Sequence, residues 1–195
     1  MQKGILAGAA GLGALSRSTV IVIAGSALMT LAAHIQIPFY PVPMSLQTLV
    51  PIAMGLVFGP VVAISAMLLY LFQGALGFPV FAGTPARGIG LAYMAGPTGG
   101  FLIGFVLAAA VAGILGRFAR RGLAATVLIA FVAGASVYVT GLAWLGLATG
   151  YGKTLLAAGL WPFLPGDVCK ALIAGLIAYR FRPLQAAAPG SRAGG

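Results

Sequence analysis

The sequence predicts an all-α integral membrane protein with a bundle of six transmembrane helices, and three observations predict it. Charged residues make up 6% of the chain and hydrophobic ones 61%, with a mean hydropathy of +1.10; a soluble domain carries about 25% charged residues to face water. The apolar residues form continuous runs rather than alternating with period two, so helices rather than a barrel must satisfy the backbone hydrogen bonds within lipid. Clusters of Pro and Gly separate the runs at a spacing that suits spans of roughly 20 residues. The 195 residues accommodate six spans as one membrane domain over 1–182, with a disordered tail at 183–195 rich in Ala, Pro and Gly.

Helices are expected at 18–36, 45–58, 60–76, 97–116, 123–148 and 165–181. Pro fixes φ and lacks an N–H, so Pro38–Pro43, Gly59-Pro60 and the stretch from Gly150 to Pro165 end helices. Gly74–Gly90 and Arg117–Gly122 supply the other two breaks. The second and third runs are short, which points to tilt or to a re-entrant segment. Lys3 followed by Gly4–Leu15 has the outline of a signal peptide, but the run is mostly Ala and Gly and Arg17 follows it directly, so no cleavage is expected.

Charge then orients the bundle. Eleven Lys and Arg stand against one acid, a net charge of +10. In a soluble protein that balance would suggest nucleic acid, but here the basic residues lie between hydrophobic runs and no recognition helix is visible. With six spans, Lys3, Arg17, Arg117, Arg120, Arg121, Arg180, Arg182 and Arg192 all fall on one side, and only Arg87 and Lys153 occupy the opposite loops. Positive residues favour the cytoplasmic side. Both termini are therefore expected inside, and the 74–96 and 149–164 loops outside.

Thirty glycines, many inside the spans, let helix backbones approach closely where lipid gives no hydrophobic drive to associate. Gly100 with Gly104, and Gly134 near Thr140 and Gly141, read as internal packing. A face of Ser26, Thr30 and Ala33 on the first span reads equally as packing or as a docking surface for another membrane protein.

No catalytic set is visible. One His (His34), one acid (Asp167) and one Cys (Cys169) cannot supply a triad, a metal site or an internal disulfide. His34 reads as an interfacial, hydrogen-bonded residue. Gly152-Lys153-Thr154 ends like a phosphate-binding loop, yet Leu147 stands where that motif needs its first Gly. ATP hydrolysis, if transport needs it, belongs to another subunit.

The strongest local signal is Pro162-Phe163-Leu164-Pro165-Gly166-Asp167-Val168-Cys169-Lys170. Asp167 falls in the first turn of the last span, where the helix dipole favours a negative charge. Lys170, three residues on, shares its face. Ionisable residues at membrane depth are costly and tend to mark ligand or ion pathways; the alternative is a structural pair that neutralises itself. Arg87, among Gly83, Gly88 and Gly90, either reaches over a pocket or is a solvated loop charge. Phe39, Tyr40, Phe78, Phe81, Tyr93 and Trp161 form an interfacial aromatic belt, or in part line an apolar pocket.

Ile37-Pro38-Phe39-Tyr40-Pro41-Val42-Pro43-Met44-Ser45-Leu46-Gln47-Thr48-Leu49 resembles the first-loop signature of the BioY family, the biotin-binding S components of energy-coupling factor (ECF) transporters. Gly77-Phe78-Pro79-Val80-Phe81-Ala82-Gly83 resembles its third-loop motif, and Gly96–Phe101 and Pro162–Lys170 resemble two more. The resemblance runs from about residue 20 to 182. It implies a six-helix S-component fold in the bacterial cytoplasmic membrane, both termini inside, and a vitamin pocket on the outer side. The implied partners are biotin, a transmembrane coupling protein and paired ATPases, with no cofactor in this chain.

By the same resemblance Asp167 and Lys170 match the family's ligand-binding acid and base. Arg87 and Gln47 join them as candidate ligand residues, with Phe81, Tyr93 and Trp161 as aromatic walls. Ser26 and Thr30 stand where the family's docking motif has alanines. Biotin's ureido ring offers two N–H donors and one carbonyl acceptor. Asp167 can accept from the former and Lys170 can donate to the latter, although Lys170 on the carboxylate is equally compatible with the sequence. The alternatives are a self-sufficient channel, which would require polar residues along a continuous pore, or an S component for another small vitamin.

Overall fold

The computed structural model describes residues 2–37, 42, 44–118 and 122–181, with side chains from Ser16 onward except that of Ile37. Several residues used above lie outside that set: Pro38, Phe39, Tyr40, Pro41, Pro43, Arg120, Arg121, Arg182, Arg192, the 183–195 tail, and the side chain of Lys3.

The first helix, α1 (Gln2–His34), has 33 residues, about 50 Å at 1.5 Å per residue, and exceeds a hydrocarbon core of about 30 Å. Its apolar part is Ser16–His34. It begins before the expected start and stops two residues early, because Gln36–Ile37 (β1) instead pairs antiparallel with Met44–Ser45 (β2). His34 is exposed, and its Nδ1 lies 2.9 Å from the carbonyl of Thr30, so it is hydrogen-bonded as expected.

That ribbon takes the start of the expected second span. The helix α2 (Leu49–Phe58) therefore has 10 residues, about 15 Å of rise. Gly59, at φ 84°, ends it and Pro60 occupies the first turn of α3 (Pro60–Ala75), which has 16 residues. Positive φ costs Gly nothing, and Pro is pre-set for a helix start, so this dipeptide reverses the chain. Neither helix is long enough to cross by itself. Where their short runs pointed to tilt or a re-entrant segment, the structure has two short apolar helices joined at Gly59-Pro60.

The remaining helices are α4 (Gly90–Met94), α5 (Gly99–Phe118), α6 (Leu123–Thr149), α7 (Lys153–Gly159) and α8 (Leu164–Phe181). The six expected spans correspond to α1, α2, α3, α5, α6 and α8. Ser16–His34, α5 and α6 are long and apolar enough to cross a membrane singly, and α7 with α8 forms a further candidate bent by 45°. The two short helices α4 and α7 lie in stretches read from sequence as loops. Leu155 and Gly159 of α7 are buried, and a Cβ on Gly159 would meet Leu145 and Leu142 of α6, so packing holds a turn of helix there.

The central helix α5 packs on α2, α3 and α6, while α6 and α2 both pack on α8 and α1 packs on α3. The contacts are made by small side chains. Ala63, Ala66, Ala108, Ala109, Ala112, Ala130, Ala133, Ala174 and Ala178 are fully buried, whereas Val61, Leu128, Val139 and Leu147 point outward. That is the inverse of a soluble surface and is what a lipid solvent demands. Gly100 and Gly104 of α5 indeed face α6, at Trp144, Thr140 and Val137. The Ser26 face is turned inward. Ser26 and Ala33 are fully buried, Ser26 donates to Gln73 of α3 at 2.5 Å, and Thr30 donates back to the Ser26 carbonyl. Cys169, expected within a helix, lies in α8 and is exposed.

One close approach sets a test. A Cβ on Gly113 would lie 2.4 Å from the nitrogen of Pro60, so α5 touches the α2–α3 reversal with no room for a side chain. Gly113→Val should destabilise the detergent-purified protein by about 1–3 kcal/mol, read as a lower midpoint of thermal unfolding. An unchanged midpoint would show that the helices are not this close.

Candidate functional site

The last helix places the charges. Its first turn, Leu164-Pro165-Gly166-Asp167, is entered from the turn at Phe163, whose carbonyl accepts the Asp167 N–H at 2.9 Å. Lys170, one turn on, is buried in the bundle, and its Nζ lies 2.8 Å from Asp167 Oδ1. Two residues from other elements complete the cluster. Lys170 Nζ also donates to Thr48 Oγ1 at 3.2 Å, and Thr48, just ahead of α2, donates to Asp167 Oδ1 at 3.4 Å. From α6, the hydroxyl of Tyr138 donates to Asp167 Oδ2. Both carboxylate oxygens therefore hold protein donors, as a charge taken out of water requires.

The pair opens onto a cleft of about 50 Å³, room for a few water molecules. Its polar wall adds Ser45, Gln47, Tyr93 and Thr98 to the cluster, and its apolar wall is Val42, Phe101, Leu102, Phe105, Val137 and Phe163. Residues from the hairpin, the third loop, α4, α5, α6 and α8 thus meet at one end of the bundle.

The loop over the cleft is pegged to the helices beneath it. Phe81 is fully buried, stacked on Tyr93 with centroids 4.9 Å apart and edge-on to Tyr70 at 5.4 Å. A Cβ on Gly74 would lie 1.9 Å from its ring, so only glycine leaves the slot. Tyr93 donates to the carbonyl of Ala82 at 2.7 Å and Tyr70 to that of Val80 at 3.2 Å. Gln47 ties the hairpin in: its Nε2 donates to Tyr70 at 2.8 Å, and its Oε1 accepts from Ser45 at 2.9 Å. Burial pushes the Tyr93 phenol above its ordinary value, opposed by a hydrogen bond with Thr98 and by the positive charge of Arg87. Tyr93 stays a neutral donor.

The structure thus brings Asp167, Lys170, Gln47 and Tyr93 together on one cleft. Phe81 lies behind the wall as a peg. Arg87 is exposed, its aliphatic stem folded over Gly83, off the wall but close enough to act on Tyr93. Trp161 is 59% exposed and stands away from the cleft, whereas Trp144 donates to the Gly96 carbonyl at 2.9 Å. Sequence reasoning missed Thr48 and Tyr138. The signal for Tyr138 was a phenol inside an apolar span, a polar group that needs a partner there.

The fold and this charged cluster inside an apolar bundle define a multi-pass membrane protein of the transport class, and the comparisons make the class particular. The BioY family profile matches residues 5–187, and the chain belongs to that family. It is 39% identical over 156 residues to a probable biotin transporter of Pyrococcus horikoshii, covering 80% of this chain and 90% of that one. It is 38% identical over 151 residues to the biotin transporter of Rhizobium etli, covering 73% and 79%. The crystallised S component for biotin from an ECF-type ABC transporter superposes with a TM-score of 0.77 over 88% of this chain and 93% of that one, at 24% identity. That likeness establishes the shared fold.

Breaking the pair should expose its structural side. Lys170→Met strands Asp167 with less than its full charge compensation and should cost up to about 3 kcal/mol, the lower end for a buried pair because Asp167 keeps some exposure. Asp167→Asn/Lys170→Met should recover most of that loss in thermal unfolding. A double variant no more stable than Lys170→Met would refute the coupling.

Proposed function

We propose that this chain is the substrate-capturing S component of an ECF-type transporter, that its substrate is biotin, and that the cleft at Asp167 and Lys170 is where biotin's ureido ring binds. The observation that carries the reading is the ion pair at the cleft: one acceptor and one donor, three residues apart, presented to the same space. A cyclic urea shows a carbonyl flanked by N–H groups. Asp167 accepts an N–H and Lys170 donates to the carbonyl, while Phe101, Phe105 and Phe163 suit the thiophane ring and valeryl chain. Membership of a family whose relatives are named biotin transporters supports the choice of ligand. Biotin is larger than the 50 Å³ cleft, so capture requires the walls to part. A transmembrane coupling protein and ATPase subunits supply the energy.

Binding of biotin to the purified protein, measured by calorimetry, tests the reading. Charge-assisted hydrogen bonds are roughly twice as strong as neutral ones, so Asp167→Asn should weaken binding on the order of ten- to a hundredfold. Undiminished affinity in a well-folded variant would remove the site. Failure of the native protein to bind biotin, with another vitamin bound instead, would remove the substrate.

Orientation belongs to the same proposal. Arg17, Arg117 and Arg180 mark the cytoplasmic end, and Arg87 and Lys153 the outer end on the side of the cleft. Labelling of Arg117→Cys should proceed only from the cytoplasmic face of sealed vesicles, and that of Lys153→Cys only from the outer face. The reverse pattern would invert the protein.

A further inference from the structure

We infer that Tyr138 is the positioning residue of the binding site, the donor that holds the Asp167 carboxylate in place to receive the ligand's N–H. The inference rests on the biotin reading above and goes beyond it, since neither the motifs nor the charge pattern single out Tyr138.

Asp167 sits at the start of α8 and Tyr138 in the middle of α6. Within helix α8 the carboxylate has one side-chain partner, Lys170, which binds Oδ1. Thr48 from the segment before α2 adds to the same oxygen. Without a third contact the carboxylate would be free to turn about its Cβ–Cγ bond and bring either oxygen to Lys170. Tyr138 removes that freedom by donating to Oδ2. Its own ring is fixed edge-on to Phe101, with centroids 6.2 Å apart, so the donor is held by packing rather than by solvent.

The donors also set capacity. An ionised carboxylate accepts about four hydrogen bonds. Lys170, Thr48 and Tyr138 fill three places, and the last is left for one N–H of a ligand. Tyr138 itself lines the cleft, with its proton committed to Asp167. A site built this way selects a ligand that donates.

A double-mutant cycle on biotin affinity separates positioning from wall-building. Tyr138→Phe keeps the ring and loses only the hydroxyl. In the native background it should weaken binding on the order of tenfold or more. In the Asp167→Asn background the acceptor is neutral and its loss should shrink to a few-fold at most. Equal factors in the two backgrounds would show that Tyr138 merely shapes the wall, and no effect in either would show that its bond to Asp167 is idle; both results overturn the inference. They leave the biotin reading standing, provided that the native protein binds biotin and Asp167→Asn alone weakens it. Should Tyr138→Phe be recovered only as aggregate, O-methyltyrosine at the same position, which keeps the oxygen and loses the proton, replaces it with the same expected outcomes.

Discussion

Asp167 is the only acid in the chain, and bringing it into an apolar bundle constrains everything around it. An ionised group removed from water costs several kcal/mol even after relaxation, so it must arrive with partners. Lys170 comes along the same helix face, but a single cation cannot satisfy two oxygens. Thr48 and Tyr138 meet the remaining demand, and they come from points 119 and 29 residues away in sequence. The α2 start, the middle of α6 and the α8 start must therefore converge to within hydrogen-bond distance. The relative placement of these three elements is thus tied to one charge.

Small side chains make that convergence attainable. Rows of buried alanine on α3, α5, α6 and α8 bring helix axes close, and Gly113 against Pro60 brings the α2–α3 reversal onto α5. Bulkier residues in those rows would separate α2 from α8 and lengthen the Thr48–Lys170 contact. The same logic extends to the loop above. Gly74 opens the slot that receives Phe81, and the Phe81 peg carries Val80 and Ala82 to the hydroxyls of Tyr70 and Tyr93. Through Gln47, which reaches Tyr70 from the hairpin, the two sides of the cleft share one hydrogen-bonded post. Packing and recognition are continuous here: a glycine on a helix ends as the position of a loop carbonyl.

Much of this was legible in the chain. Pro60 and Leu123 open their helices at the residues expected from Gly59-Pro60 and Gly122, because breakers act locally and need no tertiary context. Asp167 and Lys170 were readable as a pair for the same reason, since three-residue spacing on a helix is geometry. What failed to show depends on contacts distant in sequence. The second span lost its first residues because Met44–Ser45 found a partner in Gln36–Ile37, and α7 exists because α6 offers Leu142 and Leu145 as a packing surface. Phe81 and Trp161 looked alike as loop aromatics. Only the slot at Gly74 distinguishes a buried peg from a side chain left at the interface. No local signal ties Thr48 to Asp167.

Charge is ordered along the cleft in a way that bears on what enters it. Asp167 and Lys170 neutralise each other, so the deep end offers hydrogen bonds without net charge and suits a neutral polar group such as a cyclic urea. Near Tyr93 the balance is different. Arg87 acts on that phenol with its positive charge. A positive charge on that side would favour an anion near Tyr93 over one beside the Asp167–Lys170 pair. A ligand with a neutral ring at one end and a carboxylate at the other would enter ring first. Reversing it would place an anion against Asp167, where Tyr138 and Thr48 already commit their protons. On the biotin reading proposed above, the neutral pair would receive the ring and the basic outer end would receive the carboxylate.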